Sequence, residues 1–271
     1  MIDKKKVVSV PVQSINNVAD EIFSITLYDQ FIASHAHSGQ FVNITVPRVN
    51  GILWRRPFGI HRTNADAGTF DIVFKVIGRG TKALKQTKIG DELDIIGPLG
   101  NHFSYPPDLK EAIMVAGGLG IAPFPLLIQD TKDKSIQKTL FYGTKSKNQF
   151  CSLDFFDTSV HDLYLTTEDG SIGEQGLITD SLERYLKGLS TMEGQYIYVC
   201  GPTPLLSRVK QLAQQYNIRA QVSVETIMAC GFGACMGCPV PLEKPTEDGR
   251  KYLLACKDGP VFNMEDIIID E

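Results

Sequence analysis

Nothing in this 271-residue chain is charged strongly enough, or apolar for long enough, to dictate its surroundings. The formal net charge is only -4, with neither a basic stripe nor a basic tail, which argues against nucleic acid or an anionic membrane as partner. The short Lys4-Lys5-Lys6 run reads as the solvated start of a first strand. The longest uncharged stretch, residues 112–128, is short for a membrane span and is broken by Gly117, Gly118, Gly120, Pro123 and Pro125. It reads instead as a buried strand, a tight glycine turn and the start of a helix. The opening Met1-Ile2-Asp3-Lys4 lacks the apolar core of a signal peptide, so a cytoplasmic, reducing location is expected. Internal repeats and low-complexity tracts are missing. Histidine is sparse: the five, at 35, 37, 61, 102 and 161, are scattered and read as surface or core residues, so no proton-shuttling catalytic residue is expected. With 43% hydrophobic and 21% charged residues, the composition is that of an ordinary globular protein, long enough for two domains and a small module.

Cysteine is where the chain departs from the ordinary. Four of its six fall late, as Cys230-x4-Cys235-x2-Cys238 with Cys256 after seventeen more residues. This is the plant-type ligand spacing of a [2Fe–2S] cluster. The small residues in Gly231-Phe232-Gly233-Ala234 let the backbone wrap closely and aim N–H groups at sulfur. Structural zinc, two disulfides or unpaired core thiols are the competing readings. Zinc sites more often use two short knuckles, and disulfides need an oxidising compartment.

The rest of the chain divides in two. Residues 7–12, 22–28, 40–46 and 69–77 are rich in β-branched and aromatic residues, and 69–77 alternates with period two. A further strand-like stretch runs through Ile96 and closes at Gly97-Pro98-Leu99-Gly100. Short strands with turn signals predict a small antiparallel β-barrel, with one helix over 82–86 capped by Thr81. From about Glu111, strands at 112–116, 139–142, 163–166, 196–200 and 221–224 alternate with helical patterns, which predicts an α/β parallel sheet. The clearest helix starts at Thr203-Pro204, with Thr203 as cap. The predicted organisation is a β-barrel domain over 1–104, an α/β domain over 105–225 and a cysteine module over 226–271. The last has too few apolar residues for its own core and depends on metal and its neighbours.

Four motifs carry chemistry. Arg55-Arg56-Pro57-Phe58-Gly59-Ile60, placed at the end of a barrel strand, offers a guanidinium to a diphosphate and an aromatic to a planar ring. Phe74, Lys75 and Gly78-Arg79-Gly80-Thr81 supply a second anion-binding feature. Gly117-Gly118-Leu119-Gly120-Ile121-Ala122-Pro123 follows the first parallel strand; it suits a nucleotide, or a tight packing turn. Cys200-Gly201-Pro202 ends another parallel strand, with Cys200 open to reading as a buried small hydrophobe. Gly143-Thr144-Lys145-Ser146-Lys147 reads as a solvated loop.

In this order the four motifs resemble the ferredoxin-NADP reductase superfamily. The cysteine segment and the ending Cys256-Lys257-Asp258-Gly259-Pro260-Val261-Phe262 are more specific. They are similar to the electron-transfer subunits of class 1B dihydroorotate dehydrogenase, over essentially the whole chain. The resemblance implies FAD bound by Arg56, Pro57, Phe58, Gly59, Val73, Phe74, Lys75, Gly80 and Thr81. It implies NAD bound by Gly117, Gly118, Gly120, Pro123, Cys200, Gly201 and Pro202, and a [2Fe–2S] cluster on Cys230, Cys235, Cys238 and Cys256. Gly59 stands where such proteins often carry Ser or Thr at flavin N5. The implied partner is an FMN-containing catalytic subunit that oxidises dihydroorotate in pyrimidine biosynthesis, two of each forming a heterotetramer. Electrons would pass singly through the cluster to FAD and leave as hydride to NAD⁺. Phe232, Met236 and Val240 are expected to be exposed, as a docking face. The rivals are related subunits of NADH-dependent ferredoxin:NADP⁺ oxidoreductase or sulfide dehydrogenase, and a non-catalytic zinc-binding adaptor on the same scaffold.

Overall fold

The structure, a computed structural model, describes residues 6–46, 54–132 and 135–269. Lys4 and Lys5 of the lysine run lie outside the described residues. Strands β1 (Lys6–Ala19), β2 (Ile22–Tyr28), β3 (Phe41–Ile44), β4 (Arg56–Asn64), β5 (Thr69–Lys75) and β6 (Glu92–Leu99) close into a barrel, ordered β1-β2-β5-β4-β3-β6 and antiparallel throughout. Closure leaves no unpaired edge. The period-two pattern of β5 has its expected effect: Phe70, Ile72 and Phe74 point into the barrel core, and Val73 faces the other way. The Arg55 to Ile60 motif opens β4 rather than ending a strand, because β4 pairs with β3 from Arg56 onward.

Two short helices sit on the barrel. Helix α1 (Gln30–His35) escaped the sequence reading, although Asp29 caps it by accepting the Ile32 N–H at 2.7 Å. Helix α2 (Arg79–Leu84) begins earlier than its expected start. Thr81 is its third residue, and the hydroxyl reaches back to accept the N–H groups of Ile77 and Gly78 at 3.0 and 3.1 Å.

The second domain follows the predicted alternation. Its strands are β7 (Glu111–Gly117), β8 (Gln137–Thr144), β9 (Asp162–Thr167), β10 (Glu174–Gln175), β11 (Gln195–Cys200) and β12 (Arg219–Ser223). Helices α3 (Phe124–Asp130), α4 (Leu153–Ser159), α5 (Ile178–Gly188) and α6 (Thr203–Gln215) lie among them. Pro202, not Thr203, is the cap of α6. Every residue of β7 from Glu111 to Ala116 is buried, as a parallel strand covered on both faces requires. The order β10-β9-β8-β7-β11-β12 reverses direction between β7 and β11. Open α/β sheets bind ligands outside the carboxyl ends of such a strand pair.

The last segment joins this domain. Strands β13 (Pro239–Pro241) and β14 (Tyr252–Leu254) form a hairpin, and β15 (Val261–Asn263) extends the sheet antiparallel to β12. Cys238, Val240, Leu254, Cys256, Phe262 and Ile267 share one core with β11, β12 and α6. That shared core is how a segment with few apolar residues holds its shape. It also corrects one expectation: Val240 is buried, while Phe232 and Met236 are 46% and 53% exposed beside Ile227 at 88%.

Candidate functional site

A cleft of about 780 Å³ opens between the two domains and the C-terminal segment. Its barrel wall holds Arg56, Pro57, Phe58 and Gly59 from β4, Val73, Phe74 and Lys75 from β5, and Gly80 and Thr81 from α2. All nine residues expected to bind flavin therefore face one space. The Phe58 and Phe74 rings meet edge to face with centroids 5.8 Å apart. Arg56, Lys75 and Arg79 give this wall its positive charge. A Cβ at Gly59 would meet nothing within 4 Å, so the wall stands back there and leaves room for a ring system.

The opposite wall comes from the sheet's switch point. Leu119, Ala122, Pro123 and Cys200 line it, whereas Gly117, Gly118, Gly120, Gly201 and Pro202 do not. The glycines have a packing reason. A Cβ on Gly120 would lie 2.1 Å from the Cys200 carbonyl oxygen, and one on Gly201 would lie 3.0 Å from Gly117 N. Two bare turns thus nest together and present their neighbours to the cleft. Gly118, at φ +54°, is the exception, with open space around it.

The third wall was not foreseen: Ser223, Val224, Glu225, Thr226, Met228 and Pro260. It is made of the two chain segments that lead to Cys230 and away from Cys256. Burial raises the Glu225 carboxyl above the usual range. Burial and the nearby Glu225 push the Cys200 thiol well up. The Cys200 thiol is therefore neutral at neutral pH. Glu225 lies two residues beyond β12, at the sheet's carboxyl edge, and that position is a usable signal. Trp54, the chain's single tryptophan, also lines the cleft two residues before Arg56.

The four late cysteines gather in two pairs. The Cys235 N–H donates to Cys230 Sγ at 3.4 Å, and Cys238 Sγ lies 3.2 Å from Cys256 Sγ. Burial opposes a thiolate at Cys230, but N–H groups from Phe232, Cys235 and Ala234 outweigh it and bring the thiol down to about 6. Cys256 is pushed up to about 12 by burial and by the Cys238 thiol. Among the described residues no three His, Cys, Asp or Glu side chains converge on a single ion position. The two pairs together offer four thiols, the ligand set of a [2Fe–2S] cluster.

The Cys256 tail is tied to the barrel by Asn101. Its Nδ2 donates to the carbonyl oxygens of Asp258 and Val261 at 2.9 and 2.7 Å, and its Oδ1 accepts the Val261 N–H at 2.9 Å. Asp258 Oδ2 accepts the Leu254 N–H at 2.8 Å and closes the turn around Cys256. Pro260 then reaches the cleft. Elsewhere His61 joins the domains, its Nδ1 2.8 Å from the Ala122 carbonyl and its Nε2 3.2 Å from Ser152 Oγ. A carbonyl only accepts, so Nδ1 carries the proton and Nε2 accepts from the hydroxyl. Among the described residues no helix is long and apolar enough to cross a membrane.

Comparison with known proteins matches this layout. Residues 10–105 match the oxidoreductase FAD-binding domain, 114–211 the oxidoreductase NAD-binding domain, and 225–268 the iron–sulfur cluster binding domain of dihydroorotate dehydrogenase B. The electron transfer subunit of dihydroorotate dehydrogenase B (NAD(+)) from Desulforamulus reducens is 31% identical over 95% of this chain and 96% of its own length. That from Clostridium acetobutylicum is 33% identical over 94% of each. A solved NADH-dependent reduced ferredoxin-NADP oxidoreductase superposes with a TM-score of 0.83 at 27% identity, covering 96% of this chain and 90% of its own. The ferredoxin reductase of carbazole 1,9a-dioxygenase, at 17% identity and TM-score 0.68, covers 80% of this chain and 68% of its own and shares the fold.

Proposed function

The chain belongs to the family of dihydroorotate dehydrogenase B electron-transfer subunits, and from that membership we propose that it carries electrons from a dihydroorotate-oxidising, FMN-containing partner subunit to NAD⁺. A single observation supports this reading most strongly. The cleft walled by the flavin motif is also walled by the segments that run into Cys230 and out of Cys256. When bound, FAD exchanges one or two electrons and the cluster one, which joins single-electron delivery to the paired chemistry of nicotinamide.

The chain's own residues do the holding. Arg56, Lys75 and the α2 turn at Gly80 and Thr81 take the diphosphate, with the guanidinium as a forked donor. Pro57, Phe58, Gly59, Val73 and Phe74 seat the ring system. Gly117, Gly118, Gly120, Pro123, Cys200, Gly201 and Pro202 shape the turns that admit nicotinamide. Cys230, Cys235, Cys238 and Cys256 would hold the cluster, which supplies one-electron transfer when bound. Ile227, Phe232 and Met236, exposed beside these cysteines, form the face to which the partner docks, two copies of each subunit making a heterotetramer in the cytoplasm.

The test is affinity purification of the tagged chain from native extract. Recovery of an FMN-containing subunit that makes orotate supports the proposal. Recovery of a ferredoxin:NADP⁺ oxidoreductase or sulfide dehydrogenase partner contradicts it.

A further inference from the structure

Strand β3 turns its two faces to two different cores. Val42 and Ile44 point into the barrel, while Phe41 packs in the core that contains Cys238 and Cys256. Alternation along the strand puts Asn43 on the same face as Phe41. It is fully buried, where packing alone would favour an apolar side chain. The amide is directed at the cysteine arm: Nδ2 donates to the Cys230 carbonyl oxygen at 2.8 Å. Gly231 follows at φ +79°, and a Cβ there would lie 2.2 Å from Asn43 Nδ2. The arm therefore rests directly on the amide. Asn43 Oδ1 is buried with no hydrogen-bond partner among the described residues.

A peptide unit is planar, so holding the Cys230 carbonyl sets the plane of the Cys230–Gly231 link and the direction in which the loop leaves it. That loop returns the Cys235 N–H to Cys230 Sγ. In the other direction, Asn43 lies in register with Pro57 of the flavin motif, on the neighbouring strand. One side chain thus couples the first cysteine to the flavin wall.

We infer that Asn43 is a positioning residue for the iron–sulfur cluster, fixing the Cys230 arm against the flavin-binding strand. The inference rests on the reading of Cys230, Cys235, Cys238 and Cys256 as ligands. Groups that orient metal ligands from behind are typically worth roughly 10–100-fold in metal affinity or activity. A residue kept for packing behaves otherwise, since leucine has a similar size and would remove the buried, unpaired oxygen.

The experiment uses the full chain, purified anaerobically as wild type, Asn43→Leu and Asn43→Ala. It reads flavin content, the paramagnetic resonance spectrum and midpoint potential of the reduced cluster, and the rate at which an iron chelator strips the protein. Asn43→Leu should keep its flavin, lose iron roughly tenfold faster and show a displaced spectrum and potential. Asn43→Ala removes the donor without adding a new polar group and should behave alike; should the leucine variant not accumulate, the alanine variant decides alone. Spectra, potentials and chelator rates indistinguishable from wild type would overturn the inference, as would loss of flavin together with the cluster in either variant. Wild type devoid of iron and sulfide overturns the ligand reading and the inference with it. A normal wild-type cluster indifferent to Asn43 overturns the inference alone.

Discussion

Cys235 is the exposed member of the four cysteines, and its N–H and thiol both approach Cys230. Cys235→Ala should therefore abolish cluster absorbance, while FAD, held by a separate wall, stays bound; flavin and iron analysis of one preparation checks both. Gly59 makes a different kind of prediction. The open space at its Cα means that Gly59→Ser should fold normally, retain FAD and shift the flavin's visible spectrum, whereas loss of FAD would show the space to be occupied by the ring itself. His61 carries the pH dependence. Burial lowers its pKa to about 3, so the unfolded chain binds a proton that the folded chain refuses as pH drops below the ordinary histidine value of 6.5. Stability is then complete above that value and declines as pH falls toward about 3. In thermal melts across this window, His61→Asn should flatten the decline. Residues of this kind were unevenly legible. The four cysteines stand out by spacing, and the flavin motif through its resemblance to a known family. Asn43 and Asn101 do not, because their partners lie 187 and up to 160 residues away in the chain.

Secondary elements were easier to read where burial dictates composition. The run ahead of Gly117 is apolar because β7 is covered on both faces, and the glycines behind it end the strand in a turn, followed by a 3₁₀ turn over Gly118–Ile121. Helix α1 is only six residues long, too short for an apolar period to emerge, and Asp29 alone betrayed it. The exposure of Val240 could not be judged from the cysteine run, since it depends on β13 folding back against the core of β11 and α6. Element packing also assigns the glycines a role. Gly120→Ala would drive a methyl into the Cys200 carbonyl. It should destabilise the fold by about 1–3 kcal/mol and weaken NADH binding more than FAD binding. Equal weakening of both would argue that the two turns do not shape the nicotinamide side. At the Cys256 turn, Asn101→Ala removes three hydrogen bonds from one partly buried clasp. A loss of about 2–3 kcal/mol in chemical denaturation is expected.

At the scale of the whole molecule, three units that could each be found on other scaffolds are arranged around one cleft. The barrel supplies cations and aromatics, the parallel sheet its switch point, and the C-terminal segment two pairs of thiols whose flanking chain forms the remaining wall. Joining β15 to the sheet and Asn101 to the tail makes the cysteine segment part of the molecule's frame. The central claim is that electrons cross between flavin and cluster within this one chain. The most direct measurement is anaerobic addition of NADH to the purified protein, followed by paramagnetic resonance. NADH alone should bleach the flavin and raise the signal of a reduced [2Fe–2S] cluster. Bleached flavin with a cluster that answers only to a chemical reductant would contradict the account.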